Sequence, residues 1–303
     1  MFRMKKMKKF KLHKGVAPVY PIDRDVYENL VQRDGKYSYR GKDGITRSFA
    51  VCPACDNPIQ LIGLYKDLKN TDRPYGKHYN RNTPIAEYNE QAYRFCPYAS
   101  HSYHVKKETK KEEVTDFEVN ICNAARDYFD LAAYVIEKET GIHVTKTMAR
   151  RMLSDYWASD GYMYYWATLY NIPWMLLYFF RSTPCFGLLI RKGSPIYGYL
   201  SGRKDIRLEQ SVKENYVIVK NNGSFLDLNF VFILHKRKVI DDEVKETIQL
   251  SFTSQKKRLG LPTVEHKMIF DINESDFPNF VCSAKFRNKE LLAIAREELP
   301  ELK

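Results

Sequence analysis

The pair Cys52 and Cys55 constrains this chain more than any other stretch of its sequence. Two thiols separated by Pro53-Ala54 can be aimed by one tight turn at a single ion, and Phe95-Cys96-Pro97-Tyr98-Ala99-Ser100-His101 supplies a second knuckle. The spacing predicts a structural zinc ion held by Cys52, Cys55, Cys96 and His101, with His78 or His104 as alternates for the fourth position. Between the knuckles, Lys69 to Asn82 is polar and rich in turn formers, a stretch that needs a clamp to stay in place. Four protein donors leave no open coordination position, and no glutamate stands beside them as an evident general base, which points to structural and not catalytic zinc. A redox dithiol lacks the βαβ context it would need around the pair.

Six cysteines at irregular positions in 303 residues do not resemble a secreted disulfide framework, and the expected location is the cytosol. The N-terminus is basic enough for a signal peptide, but no apolar run of the right length follows it. The most apolar stretch, Ile172 to Ile190, is broken by Arg181, Ser182, Thr183 and two prolines, so no membrane association is expected. A net charge of +12 favours a polyanionic partner, with nucleic acid ahead of an anionic membrane surface.

Periodicity predicts an α+β fold: an N-terminal zinc-ribbon-like domain, then a helical block packed on a mainly antiparallel β-sheet. Residues 1–14, with seven Lys or Arg, read as a mobile basic arm, residues 15–110 as the zinc-ribbon-like domain and 111–303 as an α+β domain. The mixed-charge run Lys106 to Glu113 marks the boundary as a linker or solvated helix start. Thr115-Asp116 opens a long amphipathic helix ending at Gly141, Thr145 opens another, and the helical block spans 115–181. From 185 to 272 the chain reads as strands, including Phe186 to Ile190 and Ile196 to Leu200. Asn221-Asn222-Gly223 signals a hairpin between Tyr216 to Lys220 and Phe225 to Leu234. A helix over 287–299 closes the chain. Cys122, Cys185 and Cys282 read as buried inert thiols, and His143, His235 and His266 as surface or packing residues.

Candidate phosphate contacts are Lys5, Lys6, Lys8 and Lys9 of the arm, Arg150 and Arg151 on a helix, and Arg191-Lys192, Lys236-Arg237-Lys238 and Lys256-Lys257-Arg258 at turns. Thr145 to Tyr156, following the Gly141 turn, also has the outline of a helix-turn-helix, and Tyr197, Tyr199 and Tyr216 offer rings on which bases can stack.

Phe49-x2-Cys52-Pro53-x-Cys55 followed by Tyr75-Gly76-Lys77-His78-Tyr79 resembles the N-terminal zinc-finger segment of competence protein CoiA-like proteins, over about residues 49–104. The resemblance implies handling of DNA. The gap before His78 is longer here, and Cys96 has no clear counterpart. Asp227 with Glu243-Val244-Lys245 matches the spacing of a metal-dependent nuclease site, but a hairpin turning near Asp241-Asp242 would hold these groups about 40 Å apart at ~3.3 Å per residue. The function expected is therefore nucleic-acid binding without catalysis, as a regulatory or accessory factor. The alternatives are a metal-dependent DNA nuclease and a protein-interaction module, for example an inhibitor of a nucleoprotein complex.

Overall fold

Apolar residues among the N-terminal lysines decide how the chain begins. In a computed structural model, described here for residues 6–32, 34–40, 44–66, 73–99, 105–223, 227–254 and 262–303, Met7 and Phe10 are buried. Strand β1 (Lys9–Phe10) pairs antiparallel with β2 (Tyr20–Pro21), and Asp23 then caps α1 (Arg24–Val31) by accepting from the Asp25 and Val26 amides. Met7 bridges to Gly76 and Lys11 to Val51. A Cβ at Gly76 would lie 2.9 Å from Ile59 Cδ1 and 3.2 Å from Met7 Cβ, so glycine permits this close approach. Met7, Phe10 and Lys11 thus tie this segment into the fold, while His13 and Lys14 stay exposed, because the Met and Phe between the lysines gain more by burial than by solvation. Lys5 lies outside the described residues.

Strands β3 (Ser38–Arg40), β4 (Thr46–Val51), β5 (Pro58–Ile62) and β6 (Tyr75–His78) form an antiparallel meander in that order, followed by the short helix α2 (Glu90–Arg94). The charged run after it is anchored to the fold at Lys111, while Lys106, Glu108, Glu112 and Glu113 are exposed. Lys111 is 4% exposed, its amide bonds Met163 O at 2.8 Å, and its ammonium pairs with buried Glu118 at 2.8 Å. Glu118 also closes a capping box with Thr115 that starts α3 (Asp116–Asp127).

The expected long helix is two, because the backbone leaves helical geometry at Tyr128 (φ −121°, ψ 19°) before α4 (Phe129–Thr140). Gly141 ends α4 in the left-handed region, and Thr145 caps α5 (Lys146–Ala158). All eight residues of α6 (Ile172–Phe179) are buried, the mark of a helix surrounded on every side.

Beyond it come β7 (Thr183–Pro184), β8 (Leu189–Arg191), α7 (Pro195–Ser201), β9 (Ile206–Gln210) and β10 (Tyr216–Asn221). The expected strand over 196–200 is this helix: Ser194 accepts from the Tyr197 amide and Pro195 occupies the first turn, a start signal stronger than the alternation. Among the described residues β10 pairs with β8 and β9 and not with β11, so the strands either side of Asn221-Asn222-Gly223 do not form the expected hairpin. The long strands β11 (Leu228–Ile240), β12 (Glu243–Ser254) and β13 (Thr263–Ile272) form a separate sheet in the order β13-β12-β11-β7. Helices α8 (Asp276–Ser283) and α9 (Lys289–Glu298) close the chain, the second within the expected 287–299.

The β11–β12 hairpin turns at Asp241 and Asp242, both at positive φ. Between Ile233↔Gln249 and Lys236↔Thr247, Leu234 and His235 oppose Ile248 alone, a β-bulge with Leu234 at φ 52°. The extra residue reverses the alternation and turns His235 inward, where its Nε2 meets Glu246 Oε1 at 2.8 Å. Glu246 also accepts from Tyr170 (2.5 Å) and Asn171 (2.7 Å). One buried apolar cluster extends from Met7 to Leu299. The architecture is α+β, an N-terminal segment with a potential metal-binding cluster followed by helices packed on antiparallel sheets.

Candidate metal centre

The turn between β4 and β5 aims both thiols of the first knuckle inward. The Cys52 amide bonds Asn57 O at 2.8 Å and the Asp56 amide bonds Cys52 O at 3.2 Å, closing the turn, with Asp56 at φ 59°. Strand β6 ends on His78, which pairs with Ile59 of β5 and whose ring meets Tyr93 edge-on at 4.9 Å. Helix α2 then delivers Cys96. Cys52, Cys55, His78 and Cys96 each present one donor atom, all within 4.8 Å of one another. Among the described residues the fourth donor is His78, one of the two expected alternates; His101, the first choice, and His104, the other alternate, lie outside them.

The spacing fits a tetrahedral ion. Zn–S bonds of ~2.3 Å and Zn–N bonds of ~2.05 Å put two thiolates ~3.8 Å apart and a thiolate and imidazole nitrogen ~3.6 Å apart. Here Cys52 Sγ and Cys96 Sγ stand 3.8 Å apart, and Cys55 Sγ and His78 Nε2 3.3 Å apart. Burial pushes the Cys52 and Cys96 thiols well above their ordinary range. Cys55 is equally buried, yet hydrogen bonds with Cys52 and Cys96 and the neighbouring His78 hold it well below that range. Three thiolates crowded into a buried place would repel one another and lose hydration, and a divalent cation would offset both costs.

Groups around the donors fix them. Asn57 donates to Cys55 Sγ at 3.4 Å and Asn89 O at 3.0 Å, and its own oxygen accepts from the Asn89 amide at 2.7 Å. Tyr98, in the second knuckle, donates to both oxygens of buried Glu274 at 3.1 Å, linking the cluster to the chain after β13. Four protein donors make a closed set, suited to holding structure.

The proposed phosphate contacts separate into two groups. Most are engaged within the fold. The Lys6 ammonium lies over the Tyr75 ring at 5.1 Å, and Lys8 and Lys9 approach Glu243 (3.6 Å) and Glu274 (3.7 Å). Arg150 pairs with Glu297 (2.6 Å) and Glu298 (3.2 Å) of α9, and Lys146 with Glu290 (2.8 Å), so acidic groups of α9 take up the basic face of the helix-turn-helix outline. Arg151 lies over Phe180 at 5.4 Å, Arg191 bonds Lys138 O at 2.8 Å and Lys192 bonds Gln210 at 2.6 Å. Arg237 points inward to Phe95 O (2.7 Å) and over Trp166 (5.2 Å). Tyr216 is buried against Glu137, and Tyr199 stacks on His266 at 4.2 Å. Lys256, Lys257 and Arg258 lie outside the described residues.

Lys236 and Lys238 remain, exposed and without an ion pair among the described residues. The same solvent face carries Lys245, directly across from Lys238, and Lys267 on β13, neither singled out by a sequence reading that looked for charge runs. Period-two alternation is the signal that would have found them.

No family model matches the chain, and neither a curated protein nor a solved structure matches it.

Asp227, just before β11, and Glu243-Val244-Lys245, at the start of β12 past the hairpin turn, lie at opposite ends of the hairpin. Cys122 and Cys185 are buried as expected, but Cys282 is exposed, since the apolar Phe280-Val281 before it only half-buries itself. No helix among the described residues is long and apolar enough to cross a membrane.

Proposed function

We propose that the protein is a zinc-stabilised nucleic-acid-binding factor without catalysis, which holds a phosphate backbone on the solvent face of β11, β12 and β13. The observation that carries this reading is the direct juxtaposition of Lys238 and Lys245 on neighbouring strands, both exposed. Like charges placed opposite each other destabilise a sheet, and an anionic partner relieves that repulsion. Lys236 stands two residues from Lys238 on the same face, and Thr247 and Gln249 supply hydrogen-bonding groups between the lysines. Glu243 at 3.3 Å from Lys245 and Asp271 beside Thr247 reduce the positive charge without cancelling it. The resemblance of residues 49–104 to a DNA-handling family favours DNA over RNA.

Affinity for a duplex is expected to fall steeply as salt rises, because each phosphate neutralised releases counterions. In a fluorescence anisotropy titration, the Lys236→Ala/Lys238→Ala variant should flatten the slope of log K against log salt by about 2, near 0.9 for each lost contact. A salt-independent affinity, or a variant with the parent slope, would rule out this surface.

A further inference from the structure

We infer that a second site, far in sequence from the metal cluster, binds a nucleotide. A cavity of 490 Å³ opens between α4, the loop before β10 and the α8–α9 connection, within the range typical of small-molecule sites. Its floor is one face of α4, where Asp130, Ala133, Tyr134 and Glu137 recur at helical spacing. One wall is aromatic. Tyr134 and Phe286, 43% and 48% exposed, meet at 5.2 Å and 63°, and Phe280 backs Tyr134 in a stacked pair at 5.0 Å. Two large rings left open to solvent in one concave place form a platform for a planar base.

The polar lining selects an anion. Both carboxylates are already saturated by protein groups. Asp130 receives Arg287 Nε (2.9 Å), Arg287 Nη2 (3.0 Å) and the Asn288 amide (2.8 Å). Glu137 is engaged by His143 and by the Tyr216 hydroxyl, with Lys213 at 3.8 Å. Lys213 also lies 3.1 Å from His143 Nδ1, and Lys289 is exposed with no ion pair among the described residues. An entering anion therefore meets Lys213, Lys289 and the outer edge of Arg287, while a cation finds no free carboxylate. A ring platform beside clustered cations is complementary to a base joined to a phosphate, either as a free nucleoside monophosphate or as one nucleotide of a single strand.

Calorimetric titration with AMP, adenosine and inorganic phosphate tests this site separately from the sheet face. AMP should bind with a Kd below about 1 mM, and adenosine and phosphate each about tenfold or more weakly. Phe286→Ala and Lys289→Ala, at exposed positions that leave the core intact, should each weaken AMP by about fivefold or more, while duplex binding keeps its salt slope. Competition by a short oligo-dA would show that the site accepts a nucleotide within a strand, and AMP binding without competition that it takes the free nucleotide. Absence of AMP binding at millimolar concentration, equal affinity for phosphate alone, or full affinity in both variants would overturn the inference. None of these results bears on the lysines of β11 and β12.

Discussion

Cys52→Ser is expected to drop bound zinc from about one ion per chain to a small fraction of that, and to open the first third of the chain to proteases. The serine hydroxyl does not ionise at neutral pH, so one of four bonds is lost from a site whose remaining thiols are buried. Apparent zinc affinities at such four-donor sites amount to about 10–16 kcal/mol, and much of that is folding free energy. Cleavage should concentrate between Cys52 and Cys96, where β5, β6 and α2 depend on the clamp. The helices from α3 onward should resist, since Ile121, Phe129, Leu153 and Leu176 pack without it. Because burial raises the Cys52 and Cys96 thiols, protons compete strongly for these donors, and the parent protein should release its ion as pH falls. Metal analysis with limited proteolysis checks both effects; full metal content and unchanged protease resistance in the variant would refute the ligand set.

How much of this was legible beforehand depended on whether local chemistry alone decided the outcome. The knuckle Cys52-Pro53-Ala54-Cys55 could be read because two residues fix a turn, and Thr115 and Thr145 because a cap is a short-range signal. His78 ranked only as an alternate, since its approach to Cys55 is set by β5–β6 pairing, a contact across 23 residues. The run His235-Lys236-Arg237-Lys238 read as one basic tip, whereas the bulge at Leu234 sends His235 and Arg237 inward and Lys236 and Lys238 outward. A one-residue insertion in a ladder reverses every side chain beyond it, and composition carries no trace of that. The cavity beside α4 was invisible for a related reason. His143, Glu137 and Lys213 are brought together by a helix end and a loop 70 residues later.

Glu246→Ala is expected to cost about 3 kcal/mol of stability or more, because it removes the shared acceptor of three buried donors. Glu246 lies on β12 behind the bulge, its side chain fully buried, and is the common acceptor for Tyr170, Asn171 and His235. Truncation strands all three donors where water does not reach them, and each buried unsatisfied group costs about 1–3 kcal/mol. Glu246→Gln keeps the volume but presents an amide N–H to groups that already donate, so it should be destabilising by about 2 kcal/mol or more. The pH dependence separates charge from packing. Burial tends to raise the carboxyl, but His235, Arg237 and the Tyr170 hydroxyl outweigh it and hold the group below its ordinary value. A depressed folded-state value contributes stability that is fully present above the unfolded value near 4.3 and is lost as pH falls through the folded one. Urea denaturation from pH 7 down to about pH 3 should therefore show the parent losing stability below about pH 4, with a flatter acid limb in Glu246→Gln. A glutamine variant within 1 kcal/mol of the parent and with the same acid limb would mean that the bulge is held by packing around Phe232 and Ile248 and not by this carboxylate.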